Sequence, residues 1–146
     1  MQLIIFVGIP GCGKSTFYKE QFFNSHLRIS LDLLNTRNKE QRFLNLALSL
    51  QQRVVIDNTN VMREERNKYV TQAKEKRYEV VGYYFDSNLS DCLERNEKRS
   101  GKDRIEKVGV IAKFKQLLPP SFDEGFDKLY FVKIEGDQFS VKSIVP

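Results

Sequence analysis

The sequence predicts an α/β fold with a central, mainly parallel sheet flanked by helices, and three features lead to that expectation. Short apolar strands alternate with amphipathic helical patterns along most of the chain, the pattern of strand, crossover helix and parallel strand. A strand from Leu3 to Val7 runs directly into the glycine-rich segment GIPGCGKST, residues 8 to 16, and then into a helical pattern. A second wholly apolar run, Val54 to Ile56, ends on an acid, Asp57.

The elements follow in order. Leu3 to Val7 lacks a basic flank and a small-residue cleavage site and is far too short to span a bilayer, so it reads as a buried strand and no membrane association is expected. A helix starts near Lys14 and runs to about Phe23, followed by an extended piece at Leu27 to Ser30. Residues 39 to 50 read as a helix with a broad buried face made of Phe43, Leu44, Leu46, Ala47, Leu48 and Leu50. Val54 to Ile56 is the next strand, residues 62 to 76 an amphipathic helix, and Tyr78 to Phe85 a strand rich in β-branched and aromatic residues. A helix over Leu89 to Lys98 leads into the polar break SGKDR. A further apolar-periodic stretch, Val108 to Leu118, stops at Pro119 and Pro120. Leu129 to Ile134 and Phe139 to Val145, separated by EGDQ, read as a closing hairpin that serves the fold rather than the chemistry.

A chain of 146 residues with 40% hydrophobic content closes one core and is short for two, so residues 1–146 are expected to form a single domain. Lysine and arginine exceed acidic residues to give a formal charge of +5 and a pI near 9.2, which favours anionic partners. Cys12 and Cys92 are the two cysteines, at no metal-ligand spacing, so a disulfide scaffold is not expected and a reducing cytoplasm is. The lone His26, in a polar stretch, is expected to be solvated.

Gly8, Gly13, Lys14 and Ser15 fit G-x-x-x-x-G-K-[ST], the phosphate-binding loop of a P-loop NTPase fold, with the required strand before it and helix after it. The segment Gly8, Pro10, Gly11, Cys12, Gly13, Lys14, Ser15 and Thr16 is therefore the candidate nucleoside triphosphate cradle. Glycines let backbone N–H groups wrap closely around phosphates, and the following helix adds its positive N-terminal end. Lys14 is expected to reach the β- and γ-phosphates of ATP and the Ser15 hydroxyl to bind Mg²⁺. Cys12 reads either as a small filler or as a thiol made reactive by the helix N-terminus.

Ligands of open α/β sheets lie beyond the carboxyl ends of the strands, which singles out Asp32 and Asp57. Asp57 closes the apolar run VVID as a Walker-B-like acid does, holding Mg²⁺ or its water, or else it simply starts a turn. Asp32 follows RIS and is suited either to accept the proton of an attacking hydroxyl or to cap a helix. Arg95 and Arg99 are four residues apart, so on a helix they share a face. Like charges so placed cost about 0.2–0.5 kcal/mol unless an anion lies between them. They read as arginines of a helical lid, about residues 95–107, closing over the nucleotide, or as a solvated face with Asp91 neutralising Arg95.

Taken together, GIPGCGKST, the Asp32 segment, DNTN at Asp57 to Asn60, RNEKR at Arg95 to Arg99 and the final PPSFDEGFDKLYFV resemble the kinase domain of the polynucleotide 5′-hydroxyl kinase family. The likeness covers nearly the whole chain. It implies transfer of the ATP γ-phosphate to a 5′-hydroxyl end of RNA or DNA. Lys14, Asp32 and Arg99 are then catalytic, Asp32 being the general base. Gly8 to Thr16 with Arg95 and Arg99 hold the nucleotide, and Ser15 and Asp57 hold Mg²⁺. Some relatives place the acid of the third strand at the position of Asn58, which leaves Asn58, Thr59 and Asn60 to orient substrate or neighbouring loops. Family members usually carry an arginine three residues after the general base to grip the acceptor phosphate; here that residue is Asn35, with Arg37 and Arg28 nearby. No phosphatase or ligase domain is recognisable, so such an activity is expected from a separate partner. Two rival readings keep the nucleotide site: a kinase of a hydroxylated metabolite, nucleoside or sugar nucleotide, and an ATP-binding switch or adaptor without an acceptor.

Overall fold

The computed structural model describes residues 1–146, and its elements are β1 (Gln2–Val7), α1 (Lys14–Gln21), β2 (Leu27–Ile29), α2 (Leu31–Leu34), α3 (Arg37–Ser49), β3 (Val54–Ile56), α4 (Arg63–Glu75), β4 (Glu79–Phe85), α5 (Leu89–Glu97), α6 (Lys107–Gln116), β5 (Lys128–Glu135) and β6 (Gln138–Ile144). Short 3₁₀ turns lie at Gly101–Asp103 and Phe122–Glu124. No helix is long and apolar enough to cross a membrane.

One sheet takes the order β2-β3-β1-β4-β5-β6, parallel throughout except for β6, which pairs antiparallel with β5. The chain first winds to one edge through β2 and β3 and then crosses β1 to build the other side. The winding therefore reverses at the carboxyl end of β1, where parallel sheets open a crevice for ligands.

β1 is apolar at every position from Leu3 to Val7 because helices cover it on both sides. Leu3, Ile5 and Val7 point to the α3/α4 layer, joining Leu44, Ala47, Leu48, Tyr69, Val70 and Ala73. Ile4 and Phe6 point the other way, joining Phe17, Tyr18, Cys92 and Val110 of α1, α5 and α6. The second layer is rich in aromatic edges, with Phe17 meeting Phe85 at 5.3 Å and Phe139 at 5.1 Å between ring centroids.

Three sequence expectations are corrected. The buried face of α3 is a stripe of Leu44, Ala47 and Leu48, whereas Phe43, Leu46 and Leu50 are exposed, at 49%, 56% and 69%. One helix on a sheet buries a single face, and these three lie off it. Helix α3 also starts at Arg37, earlier than expected, because the Thr36 hydroxyl caps it by accepting from the Lys39 amide at 3.1 Å. His26 is buried at 9% rather than solvated. Its ring lies 2.6 Å from Ser25 Oγ through Nδ1 and 3.0 Å from Gln2 Oε1 through Nε2.

The exit of β3, the end of α6 and the turn before β5 are tied together by Arg66, whose side chain is 1% exposed. Its Nε and Nη2 donate to the two Glu124 carboxylate oxygens at 2.7 and 3.0 Å. Its Nη1 donates to the carbonyls of Asn60, Val61 and Leu118.

Removing one partner of such a pair leaves a buried charge. Arg66→Met is expected to lower stability by about 3–5 kcal/mol in urea unfolding, and adding Glu124→Leu to recover much of that loss. Equal stability of the single and double variants would contradict this. His26 supplies a pH dependence. Burial, then the Arg53 charge, lowers its pKa below the ordinary value of about 6.5. The unfolded chain therefore binds a proton there before the folded one does, so stability is present above that value and falls as the pH drops through and below it. His26→Asn should flatten the decline in melting temperature between neutral and mildly acidic pH relative to the parent protein.

Candidate phosphate-binding site

The turn from β1 to α1 depends on two glycines in the left-handed region, Gly11 at φ 87° and Gly13 at φ 96°. A β-carbon on Gly11 would collide with the Cys92 carbonyl oxygen, and one on Gly13 would press on Ile134 and Phe139 of the β5–β6 hairpin. Gly13 is also the N-cap of α1 and offers no side-chain acceptor, so the first helical N–H groups face outward uncapped, as anion binding requires. The loop is fixed from behind: the Gly8 amide donates to Thr59 O at 2.9 Å and the Ile9 amide to Ser87 Oγ at 3.3 Å. Lys14 Nζ turns back into the loop and donates to Gly8 O and Ile9 O, both at 3.0 Å. Pro10 is half-buried and Thr16 exposed on the rim.

Cys12 sits under the loop with its Sγ 3.6 Å from Lys14 Nζ, and burial outweighs that cation and pushes the thiol up. A raised pKa is the opposite of a reactive thiolate, so Cys12 is a filler. Cys92 is likewise pushed up to about 12 by burial.

Asp57 continues the parity of Val55, on the α1 side of the sheet, and its amide is pinned to Ile29 O at 2.8 Å. Its Oδ2 accepts from Ser15 Oγ at 3.2 Å and from Arg28 Nε at 2.8 Å, while Arg28 Nη2 donates to Ser15 Oγ at 3.2 Å. Two hard oxygens converging on one point, with phosphate oxygens to complete the shell, suit Mg²⁺. The Arg28 guanidinium lies against both.

Asp32 lies in α2 with its side chain exposed. Ser30 rather than Asp32 is the helix N-cap, its Oγ accepting the Asp32 amide at 3.2 Å, so the carboxylate is not engaged in capping. The turn is tied to the end of β3: Asn58 Oδ1 accepts the Leu31 amide at 2.8 Å and Asn58 Nδ2 donates to Glu40 Oε2 at 2.8 Å. Glu40, 2% exposed, accepts in turn from Tyr69 OH at 2.7 Å and Arg37 Nη1 at 3.2 Å. Burial and Glu40 together push the Tyr69 phenol well above its usual range. Asn60, at φ 46°, donates to Phe6 O at 2.8 Å and so joins the DNTN turn to β1. Of the residues DNTN, then, Asn58, Thr59 and Asn60 hold neighbouring loops.

Arg95 Nη1 donates to Gly11 O at 3.1 Å, so its guanidinium lies on the phosphate loop and not on Asp91. Arg99 lies two residues past the end of α5 and lines, with Arg95, Gly11, Gly13 and Thr16, a cleft of about 330 Å³. Its far wall is Ile134, Gly136, Asp137, Gln138 and Phe139 of the hairpin. The hairpin, expected to serve the fold, also gives its turn to the wall of the cleft. Sequence reading missed the hairpin wall and the place of Arg28. The hairpin left no local signal, but the alternation along β2 puts Arg28 on the same face as Val55 and Asp57.

A bifunctional polynucleotide phosphatase/kinase of Schizosaccharomyces pombe is 35% identical to the chain over 129 residues, 86% of this chain and 32% of that protein. A protein of Acanthamoeba polyphaga mimivirus named for the same two activities is 31% identical over 144 residues, 94% of this chain and 34% of that protein. The chain thus spans about a third of the length of these relatives. The crystal structure of Chaetomium thermophilum Kti12 in complex with ADP-AlF3 shares the fold, with a TM-score of 0.65 at 18% identity over 93% of this chain and 91% of that one. Residues 3–118 match the model of the AAA domain family AAA_33, and the chain belongs to that family of P-loop domains.

Proposed function

We propose that the chain is an ATP- and Mg²⁺-dependent kinase that transfers the γ-phosphate to a 5′-hydroxyl end of RNA or DNA. The observation that supports this best is the tie between Asn58 and the Leu31 amide, 2.8 Å, which holds the exposed Asp32 carboxylate beside the strand end that carries Asp57. The tie sets the α2 turn next to the end of β3, and just beyond that end Thr59 O accepts the Gly8 amide of the phosphate loop. The two relatives named for polynucleotide kinase activity support the choice of acceptor.

In this reading the α1 N-terminus and the loop amides bind the β- and γ-phosphates. Lys14 leaves the Gly8 and Ile9 carbonyls to neutralise them. Ser15 Oγ and Asp57 would hold Mg²⁺, which would supply positive charge against the phosphates. Asp32 accepts the proton of the attacking 5′-hydroxyl and aims its oxygen at the γ-phosphorus. Arg95 and Arg99, over the cleft, offset the charge on the transferring group, and the hairpin turn receives the nucleotide base. Residues 1–146 act as one P-loop unit, in the cytoplasm. A metabolite acceptor is the second reading. Asn35 stands where the resemblance implies an arginine, and Arg37 is held by Glu40, Tyr69 and Glu65.

With γ-labelled ATP and Mg²⁺, label should move to 5′-hydroxyl oligonucleotides; label moving only to nucleosides or sugars in a parallel panel would favour the second reading. Asp32→Asn is expected to slow transfer by roughly 10²–10⁴-fold, the range for general base catalysis, with ATP affinity unchanged in a binding titration. Full transfer by this variant would remove the base assignment.

A further inference from the structure

We propose that Arg28 is a resident cation of the metal site, occupying the Ser15/Asp57 pair until Mg²⁺ displaces it, so that the guanidinium and the ion exclude one another. The inference rests on the proposed Mg²⁺-nucleotide site and goes beyond it by assigning that site an internal competitor.

The sequence puts the guanidinium there. Arg28 is paired in register with Val55, and successive strand residues point to opposite faces, so Arg28, Val55 and Asp57 all project toward α1 while Leu27 and Ile29 project toward α3. The side chain then has the first turn of α1 within reach. Its Nε bonds Asp57 Oδ2 at 2.8 Å and its Nη2 bonds Ser15 Oγ at 3.2 Å. These are the two oxygens a divalent ion would need. An ion at this point competes with the guanidinium: both lone pairs of Asp57 Oδ2 are already engaged by Ser15 and Arg28, and two cations on one carboxylate oxygen repel. Asp57 is 2% exposed in its side chain and cannot swing away, whereas the Arg28 side chain is 26% exposed and has a path to solvent. The arginine is the member that moves.

A purely structural ion pair would not predict coupling. Mutual exclusion does, in both directions: the apparent affinity for Mg²⁺ is reduced by the fraction of molecules in which Arg28 is seated. Conversely, the seated Arg28 keeps the Asp57 charge from repelling a metal-free nucleotide. Loss of the arginine should therefore weaken nucleotide binding without metal and strengthen the dependence on metal.

The test is calorimetric titration of ATP into the parent protein and Arg28→Gln, in EDTA and over a range of Mg²⁺ concentrations. The ratio of the dissociation constant in EDTA to that in saturating Mg²⁺ should rise roughly fivefold or more in the variant, a coupling of ordinary size, and half-saturating Mg²⁺ should fall. An unchanged ratio, or a higher Mg²⁺ requirement, would overturn the proposal. A measurement on the parent protein guards against a misfolded variant. The Arg28 Nε–H resonance, held by Asp57, should shift when Mg²⁺ is added to the ATP complex, and no shift would overturn the proposal equally. These readings precede any acceptor, so they stand whichever hydroxyl is phosphorylated; absence of ATP binding altogether would instead sink the proposed kinase.

Discussion

A guanidinium shut away from water must find acceptors for its N–H groups or the fold loses several kcal/mol, and Arg66 finds them on three separate segments. Glu124 comes from the turn before β5, Asn60 and Val61 from the exit of β3, and Leu118 from the residues just after α6. The Leu118 amide adds a further bond to Val61 O at 2.9 Å. The end of α6 is thereby fastened to the loop that carries Asp57 and Asn58. Between α5 and α6 the exposed stretch Ser100–Arg104 is spanned by Asn96, whose side-chain amide bonds both the N–H and the carbonyl of Ile105.

The cations of the phosphate crevice share one habit. Lys14 rests on the carbonyls of its own loop, Arg95 on Gly11 O, and Arg28 on Asp57. Each acceptor is weaker than a phosphate or is shared with another ligand, so anion binding replaces partners rather than creating charge in a vacant crevice. The cations are thus already hydrogen-bonded, and each exchanges one partner for another when the nucleotide arrives. These partners also keep like charges from repelling one another in a domain whose formal net charge is +5.

Local chemistry made much of this legible from the sequence. GIPGCGKST specifies its own turn, because φ-positive glycines and a strand-helix junction are required by the loop itself, and VVID announces a strand end. What stayed hidden is what depends on distance along the chain. No periodicity says that Phe139 meets Phe17 at 5.1 Å or that the hairpin turn walls the cleft, since those contacts exist only once β5 and β6 join the sheet. The hydrophobicity of α3 misled for the complementary reason. Leu44, Ala47 and Leu48 alone reach the sheet, and apolar character at Phe43, Leu46 and Leu50 marks no burial. His26 looked polar and solvated because its partners, Gln2 and Ser25, are brought to it by the start of β1 and the turn after α1.

Asn35 has a local cause. It ends α2 at φ 71°, with its amide on Leu31 O and the next amide on Leu34 O, so the chain reverses within a residue before α3 begins. Asparagine tolerates positive φ where a long side chain costs about 1–2 kcal/mol, and an arginine at this position would strain the turn. The chain reaches Arg37 only after that reversal, on the first turn of α3, where Glu40, Glu65 and Tyr69 already bind its guanidinium. In the proposed kinase, then, grip on an acceptor phosphate would come from a neighbouring strand rather than from the residue three after Asp32. β2 leads directly into Ser30 and Asp32, and Arg28 is the guanidinium it bears. In the proposed exchange, entry of Mg²⁺ releases that charge on the acceptor side of Asp57, at the moment when the nucleotide is seated and the hydroxyl is due.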